Sequence, residues 1–158
     1  MPAFDQEEGF EMGYITNQDI EERLGTQLYI QLTDDTGSGV EDEDKVTEAR
    51  LAAEGEVDSY VGRRYCVPVE TVSQAEVLNI LKSVTLDLAT FRLYLRKPPM
   101  AKEVEAQHEA VLAWLKDVAE GRAVLPATAE LPEAVAGGVR AQACGSKRAL
   151  SRRLMKDF

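Results

Sequence analysis

The strongest constraint on the fold is a long apolar segment from about Gln74 to Arg96, which ends at Lys97-Pro98-Pro99. Its apolar positions cover more than one face of a helix: Val77, Leu78, Ile80, Leu81, Val84, Leu86, Leu88, Ala89, Phe91, Leu93 and Leu95. A helix that is apolar around much of its circumference has to be covered by other elements on several sides. The segment therefore predicts a buried helix, about 35 Å long, at the centre of a helical domain.

Four further segments have the spacing of amphipathic helices. The first begins after Thr16, which forms a capping-box pattern with Asp19, and ends at Gly25. A short second helix follows that glycine, a third spans roughly 43–62, and a fifth spans roughly 101–120. We therefore expect an all-α fold.

The expected architecture is a small helical bundle of about five helices over residues 14–125. Residues 1–13 form a predicted N-terminal arm, and residues 126–158 form an extended C-terminal arm in which proline and glycine interrupt any regular pattern. Gly55 lies inside the third helix, and we interpret it as a point of close helix–helix approach.

Charge is distributed unevenly along a chain whose formal net charge is −10. Residues 1–58 contain 17 acidic and 3 basic side chains, whereas residues 140–158 contain 1 and 6. Copies of such a chain attract each other head to tail, and the basic end suits an acidic partner. The alternative is that both ends are only solvated, and the sequence leaves it open.

The acidic loop, residues 34–44, lies between the second and third helices. Its six carboxylates are Asp34, Asp35, Glu41, Asp42, Glu43 and Asp44. Counted from Asp34, Gly39 stands at position six of a calcium-binding loop, but position twelve is Lys45 instead of a bidentate glutamate. The pattern therefore favours a solvated loop or a surface for a basic partner.

No set of residues converges on a catalytic pattern. His108, the single histidine, falls on the apolar stripe of the fifth helix, where a packing role is the simpler interpretation. Gly37-Ser38-Gly39 lacks the lysine of a phosphate loop. Cys66 and Cys144 lack metal-ligand spacing, and we interpret them as two reduced thiols. We expect no enzyme activity, no cofactor, no metal and no membrane span.

The C-terminal arm carries the predicted partner-binding residues. They are Arg140, Lys147, Arg148, Leu150, Arg152, Arg153, Leu154, Lys156 and Phe158. Three of them, Leu150, Leu154 and Phe158, recur every fourth residue, which suits a short amphipathic helix formed against a partner. The alternative is a small nucleic-acid-binding or regulatory protein that uses this basic tail, although the acidic front would repel DNA.

The order of several short motifs resembles the Mu-like head–tail connector family of bacteriophages. The opening motifs are Tyr14-Ile15-Thr16, Asp19-Ile20, Arg23-Leu24-Gly25 and Gln31-Leu32-Thr33-Asp34-Asp35. After the acidic loop come Ala53-Glu54, Glu56-Val57-Asp58-Ser59-Tyr60-Val61-Gly62, Arg64-Tyr65, Val67-Pro68-Val69 and Asp87-Leu88-Ala89. The resemblance covers about residues 14–125.

The resemblance implies an all-helical adaptor that binds the portal protein of a phage head. Members of such a family are expected to form a ring, typically of twelve copies, that extends the DNA channel and docks a downstream tail or stopper protein. Double-stranded DNA would pass without specific binding, and the acidic loop, residues 34–44, would face the channel or a neighbouring subunit. The protein would be made in the host cytoplasm and reside in the virion at the head–tail interface, and its C-terminal arm would contact the portal.

Overall fold

The computed structural model describes residues 13–69 and 75–126. Within these ranges it contains five helices and no strand, which confirms the all-α bundle. The helices are α1 (Asn17–Leu24), α2 (Thr26–Thr33), α3 (Glu43–Val61), α4 (Ala75–Leu95) and α5 (Lys102–Glu120). The N-terminal arm up to residue 12 and the C-terminal arm beyond Pro126 lie outside the described residues.

Helix α1 begins with the predicted capping box. The backbone N–H of Asp19 donates to Thr16 Oγ1 at 3.2 Å, and the backbone N–H of Thr16 donates to Asp19 Oδ2 at 2.8 Å. Gly25, with φ of 79°, both ends α1 and precedes α2. This positive φ is readily adopted only by glycine, so a single residue can turn the chain between two short helices.

The core lies where α3, α4 and α5 pack against one another, and α1 and α2 close a further side of α4. Its fully buried side chains include Val57 on α3, Leu81 and Leu93 on α4, and Leu115 on α5. Burying a side chain of this size contributes about 1.5–3 kcal/mol. Helix α4 contacts all four other helices, as its apolar pattern predicts. In the described residues, no helix is both long and apolar enough to cross a membrane.

Two expectations are wrong. Gly55 is exposed on α3, and nothing lies within 4 Å of a Cβ placed there, so it marks no close helix approach. Cys66 is disulfide-bonded, so it is not the reduced thiol that the sequence predicts. Cys144 lies outside the described residues.

Candidate interaction surfaces

Asp34 organises the first half of the acidic loop. One carboxylate oxygen accepts the backbone N–H groups of Thr36 at 2.9 Å and Gly37 at 2.8 Å, and the other accepts that of Gly39 at 2.7 Å. These bonds favour the charged form and hold the pKa of Asp34 well below its ordinary value. The carboxylate that would open a calcium loop is therefore used to fold the loop itself.

Asp35 joins the loop to two helices. Its carboxylate lies 2.8 Å from Lys45 Nζ at the start of α3 and 2.6 Å from Arg96 Nη2 just past α4. The hydrogen bond from Lys45 is the largest of the effects that lower the pKa of Asp35. Lys97 Nζ adds a bond of 2.7 Å to the carbonyl of Gln31. Three cations thus fasten the loop across the ends of α2 and α4.

In the second half of the loop, one carboxylate is hydrogen-bonded and ion-paired, and the other three face solvent. Asp42 caps α3, accepting the backbone N–H of Lys45 at 3.4 Å, and its other oxygen lies 2.7 Å from Lys45 Nζ. Glu41, Glu43 and Asp44 are exposed, and within residues 13–69 and 75–126 their carboxylates have no hydrogen-bond or ion-pair partner. These three side chains are therefore available to a partner.

A hollow of about 450 Å³ continues the acidic surface towards α1 and α2. Glu41 and Glu43 line it together with Glu21, Glu22 and the buried Tyr29. Burial raises the pKa of the Tyr29 phenol, and the nearby charges of Glu21, Glu41 and Glu43 raise it further. The hollow is thus a region of negative potential, suited to repelling phosphates or attracting a basic chain.

An apolar groove lies between α1, α2, α4 and α5. It encloses about 280 Å³, and its apolar lining consists of Leu24, Leu28, Tyr94 and Val104. Sequence reasoning did not find this groove, because its four apolar residues belong to four helices and each helix shows them only as ordinary members of an apolar stripe.

The rim of the apolar groove is polar. Asp87 accepts from Arg23 Nη2 at 2.7 Å and from Gln107 Nε2 at 2.9 Å, which links α4 to α1 and α5. The Asp87 side chain is only 8% exposed, whereas Glu103, also on the rim, is exposed. The rim therefore has one neutralised carboxylate and one that faces solvent.

The Tyr14 clasp, formed by Tyr14, Glu54, Asp58 and Val69, fastens the start of the domain to α3. Tyr14 Oη donates to Asp58 Oδ1 at 2.5 Å and accepts the backbone N–H of Val69 at 3.1 Å. Glu54 Oε1 accepts the backbone N–H of Ile15 at 3.3 Å. Burial raises the pKa of Asp58 and that of Glu54, although these hydrogen bonds act in the opposite direction.

His108 packs instead of pointing into a cluster of polar groups. Its ring stacks on Phe91 with centroids 3.6 Å apart and planes 8° from parallel, joining α5 to α4. Across residues 13–69 and 75–126, no group of three or more histidine, cysteine or acidic side chains is arranged to hold a metal ion. The predicted C-terminal residues, from Arg140 to Phe158, lie outside the described part of the chain.

The family model described as Bacteriophage Mu, Gp36 matches residues 14–143. The chain belongs to this bacteriophage family. The match confirms the Mu-like resemblance, begins at Tyr14 of the clasp, and continues beyond α5 into the predicted C-terminal arm. No curated protein matches the chain significantly. This member of the Mu Gp36 family is therefore a phage protein with an all-helical body, an acidic loop and an apolar groove.

Proposed function

We propose that this chain is a non-enzymatic head–tail connector, or adaptor, of a tailed phage. In this proposal about twelve copies form a ring beneath the portal, extend the DNA channel and dock the next tail or stopper protein. The protein is made in the host cytoplasm and resides at the head–tail interface of the virion. The observation that carries the proposal is the Mu Gp36 family match over residues 14–143, together with the motif order that resembles connectors.

The charges of the described body support the proposed channel role. Residues 13–69 and 75–126 contain 20 acidic and 12 basic side chains, a net charge of −8. Glu41, Glu43 and Asp44 are exposed on a loop that ion pairs hold in place. A fixed row of carboxylates repels the phosphates of DNA and lets the duplex slide without being bound.

The decisive experiment is a mass measurement by light scattering on the protein alone and mixed with the portal of the same phage. We expect a defined multiple of the chain to co-elute with the portal, whether the free protein is a monomer or already a ring. The mass gives the number of subunits. No co-elution at any protein concentration would reject the connector proposal.

Deletion of residues 145–158, which keeps both cysteines of the chain, tests the role proposed for the C-terminal arm. The described helices end at Glu120, so we expect the deleted protein to keep its helical circular dichroism and its urea unfolding midpoint. Its co-elution with the portal is expected to be lost, since Lys147, Arg148, Arg152, Arg153 and Lys156 are removed. Unchanged co-elution would show that the arm does not hold the portal.

A second candidate function, nucleic-acid binding by the basic tail, rests on the six basic residues of positions 140–158. Six phosphate contacts would give a slope of about −5 for the logarithm of affinity against the logarithm of salt concentration. A filter-binding series with double-stranded DNA measures this slope. A slope near zero rejects the candidate, and a steep slope without portal co-elution would favour it over the connector.

A further inference from the structure

The hollow between α1, α2 and the acidic loop is lined by four carboxylates. Glu21 and Glu22 lie on α1, and Glu41 and Glu43 belong to the acidic loop. No lysine or arginine is among the described residues that line the hollow, and none of the four carboxylates forms an ion pair with a described residue. Like charges around one small space repel one another, and a cation placed between them relieves that repulsion.

Hydrogen bonds from neutral groups hold the two carboxylates of α1 without neutralising their charge. Glu21 Oε1 accepts from the Thr26 hydroxyl at 2.9 Å. Glu22 Oε1 accepts from Gln18 Nε2 at 3.0 Å. The second oxygen of each carboxylate accepts no hydrogen bond from a described residue, so it is available to a donor that enters the hollow.

A buried phenol without a described partner lines the same hollow. Tyr29 is only 4% exposed, yet its hydroxyl makes no hydrogen bond with any described residue. The hydroxyls of the other two buried tyrosines of the described chain are paired. Tyr14 donates to Asp58, and Tyr65 accepts the backbone N–H of Leu125. Because a buried tyrosine hydroxyl usually has a partner, the Tyr29 hydroxyl points to a ligand that supplies one.

The carboxylates around the Tyr29 phenol show where it lies. Burial raises the pKa of this phenol, and the charges of three nearby carboxylates, those of Glu21, Glu41 and Glu43, raise the pKa further. The same three carboxylates line the hollow, so the phenol oxygen lies among them. An aromatic ring surrounded by anionic oxygens is an arrangement that binds organic cations.

The size of the hollow favours an organic cation over a metal ion. Within residues 13–69 and 75–126, no three acidic side chains are arranged to hold one metal ion. The hollow encloses about 450 Å³, within the ~300–1,000 Å³ of pockets that take organic ligands. The planar guanidinium of arginine presents a fork of N–H donors and stacks on aromatic rings, whereas the ammonium of lysine is a compact, strongly hydrated charge. Several carboxylates spread around a tyrosine therefore suit arginine better.

We propose that this hollow binds the guanidinium group of an arginine carried by a basic segment of a partner protein. The four carboxylates accept the N–H groups of the guanidinium, and the Tyr29 hydroxyl supplies a further acceptor. The proposal goes beyond the connector role, because it assigns a ligand to particular side chains whichever assembly supplies that ligand.

A titration of the full chain with short peptides tests this assignment. The probes are acetyl-Gly-Arg-Gly-amide and two matched peptides in which lysine or citrulline, the neutral isostere of arginine, replaces the arginine. The NMR signal of Tyr29 Cζ, assigned by its loss in Tyr29→Phe, reports binding at neutral pH. We expect the arginine peptide to shift this signal and to bind about tenfold more tightly than the citrulline peptide, because hydrogen bonds between charged groups are the stronger ones.

Two single substitutions show whether the hollow itself holds the peptide. Glu43→Gln removes a lining carboxylate, and we expect about tenfold weaker binding of the arginine peptide. Asp44→Asn removes the same charge from the next residue, which is exposed and does not line the hollow. This matched control is expected to change the affinity by less than about twofold. Circular dichroism verifies that both variants remain folded.

Tyr29→Phe separates binding from structural support. The substitution keeps the ring and removes the hydroxyl, and we expect the arginine peptide to bind about fivefold more weakly, as measured by calorimetry. The urea unfolding midpoint should not fall, because the hydroxyl makes no hydrogen bond with a described residue. A lower midpoint with unchanged peptide affinity would mean that the hydroxyl supports the fold and not the ligand.

A full-length variant distinguishes the source of the arginine. Arg148→Gln, Arg152→Gln and Arg153→Gln together remove three arginines from the basic end of the chain. We expect this variant and the wild type to bind the arginine peptide equally. Tighter binding by the variant would overturn the assignment to a partner protein, because arginines of this chain would then compete for the hollow.

Three further outcomes would overturn the proposal. Equal affinity for the arginine and citrulline peptides would show that the hollow holds no cation. Equal affinity for the arginine and lysine peptides would remove the preference for a guanidinium. Equal losses in Glu43→Gln and Asp44→Asn would show that the peptide responds to total charge and not to the hollow. Portal co-elution is measured separately, so failure of this proposal and failure of the connector proposal are distinguishable.

Discussion

The acidic loop and the Tyr14 clasp place carboxyl groups in opposite environments. Asp34 is half-buried and Asp35 is exposed; their carboxylates accept hydrogen bonds from backbone amides or cations, and both have lowered pKa values. Asp58 and Glu54 are partly buried, and burial raises the pKa of each. The loop therefore stabilises its carboxylates in the charged form, whereas the clasp stabilises the protonated form.

This difference makes the two regions respond to pH in opposite directions. A lowered folded-state pKa gives stability that is present above the ordinary carboxyl value, about 3.9 for aspartate, and is lost as the pH falls through the folded value. A raised pKa gives stability that is present below the ordinary value and is lost as the pH rises through the folded value. Acid weakens the loop and strengthens the clasp.

The largest expected effect is that of Tyr14→Phe, which removes the hydroxyl at the centre of the clasp. Asp58 then loses its donor, and the buried backbone N–H of Val69 loses its acceptor. Leaving partly buried polar groups unpaired costs about 2 kcal/mol. We expect the free energy of unfolding, measured in urea at neutral pH, to fall by that amount.

Tyr60→Phe is the matched control for this substitution. Tyr60 also packs against the core, but its hydroxyl makes no hydrogen bond with the described residues. We expect little change in its unfolding free energy. If the two variants lost equal stability, the clasp hydroxyl would contribute nothing beyond ordinary packing, and the comparison with the loop would fail.

A smaller effect is expected for Asp58→Asn, which keeps an oxygen near Tyr14 but cannot ionise. The wild type loses stability as the pH rises from about 3.9 through the raised pKa of Asp58, because the charged form is poorly solvated there. The Asp58→Asn variant has no carboxyl at this position, so this loss of stability with rising pH does not occur. Urea unfolding at a series of pH values from 4 to 7 should therefore give a flatter or rising profile for Asp58→Asn.

The remaining carboxyl of the clasp provides the reference for that experiment. Glu54 is retained in Asp58→Asn and still contributes a fall in stability with rising pH. We therefore expect the difference between the wild-type and variant profiles to grow with pH and not to vanish. Parallel profiles would mean that the Asp58 carboxyl titrates as it does in the unfolded chain.

The sequence predicts the helices well, because their signals are local. Thr16 and Asp19 lie three residues apart, and the apolar period of the α4 segment is visible without any tertiary knowledge. The clasp is different, since Tyr14 and Asp58 are 44 positions apart and Val69 contributes only a backbone group. No local pattern marks a hydrogen bond between such distant positions.

The candidate surfaces show the same difference between local signals, which the sequence reveals, and contacts between distant residues, which it does not. Composition alone identified the acidic loop, but it did not separate Asp34, Asp35 and Asp42, which hold the loop, from Glu41, Glu43 and Asp44, which face solvent. For Asp35, that separation depends in part on Arg96 and Lys97, which reach the loop only through the packing of α4. The interpretation of Gly55 as a close helix–helix contact is wrong because its face of α3 is exposed. The apolar period of α3 alone did not show which face of the helix packs against a neighbour.

A local effect is expected for Asp34→Ala in the acidic loop. The backbone N–H groups of Thr36, Gly37 and Gly39 lose their acceptor, and the loop opens more often. We expect hydrogen exchange at these amides to be about tenfold faster, with the exchange in α3 and α4 unchanged. Asp44→Ala is the control, because no described residue pairs with the Asp44 carboxylate. Equal exchange in both variants would show that Asp34 does not order the loop.

The smallest effect on stability is expected when Glu41→Gln, Glu43→Gln and Asp44→Asn are combined. A matched variant combines Glu76→Gln, Glu105→Gln and Glu109→Gln. It removes three charges, and two of its residues also lie in a helix first turn. We expect both variants to keep the urea unfolding midpoint of the wild type, because all six side chains are exposed.

The two triple variants differ in their expected effect on DNA. In the complex with the portal, we expect the loop variant alone to retain short double-stranded DNA at low salt, since it removes repulsion where the proposal places the channel. Filter binding at a series of salt concentrations measures this retention. Equal retention by both variants would mean that only total charge matters. The loop would then be a folded surface element, held by Asp34 and Asp35, without a special position along the path of the DNA.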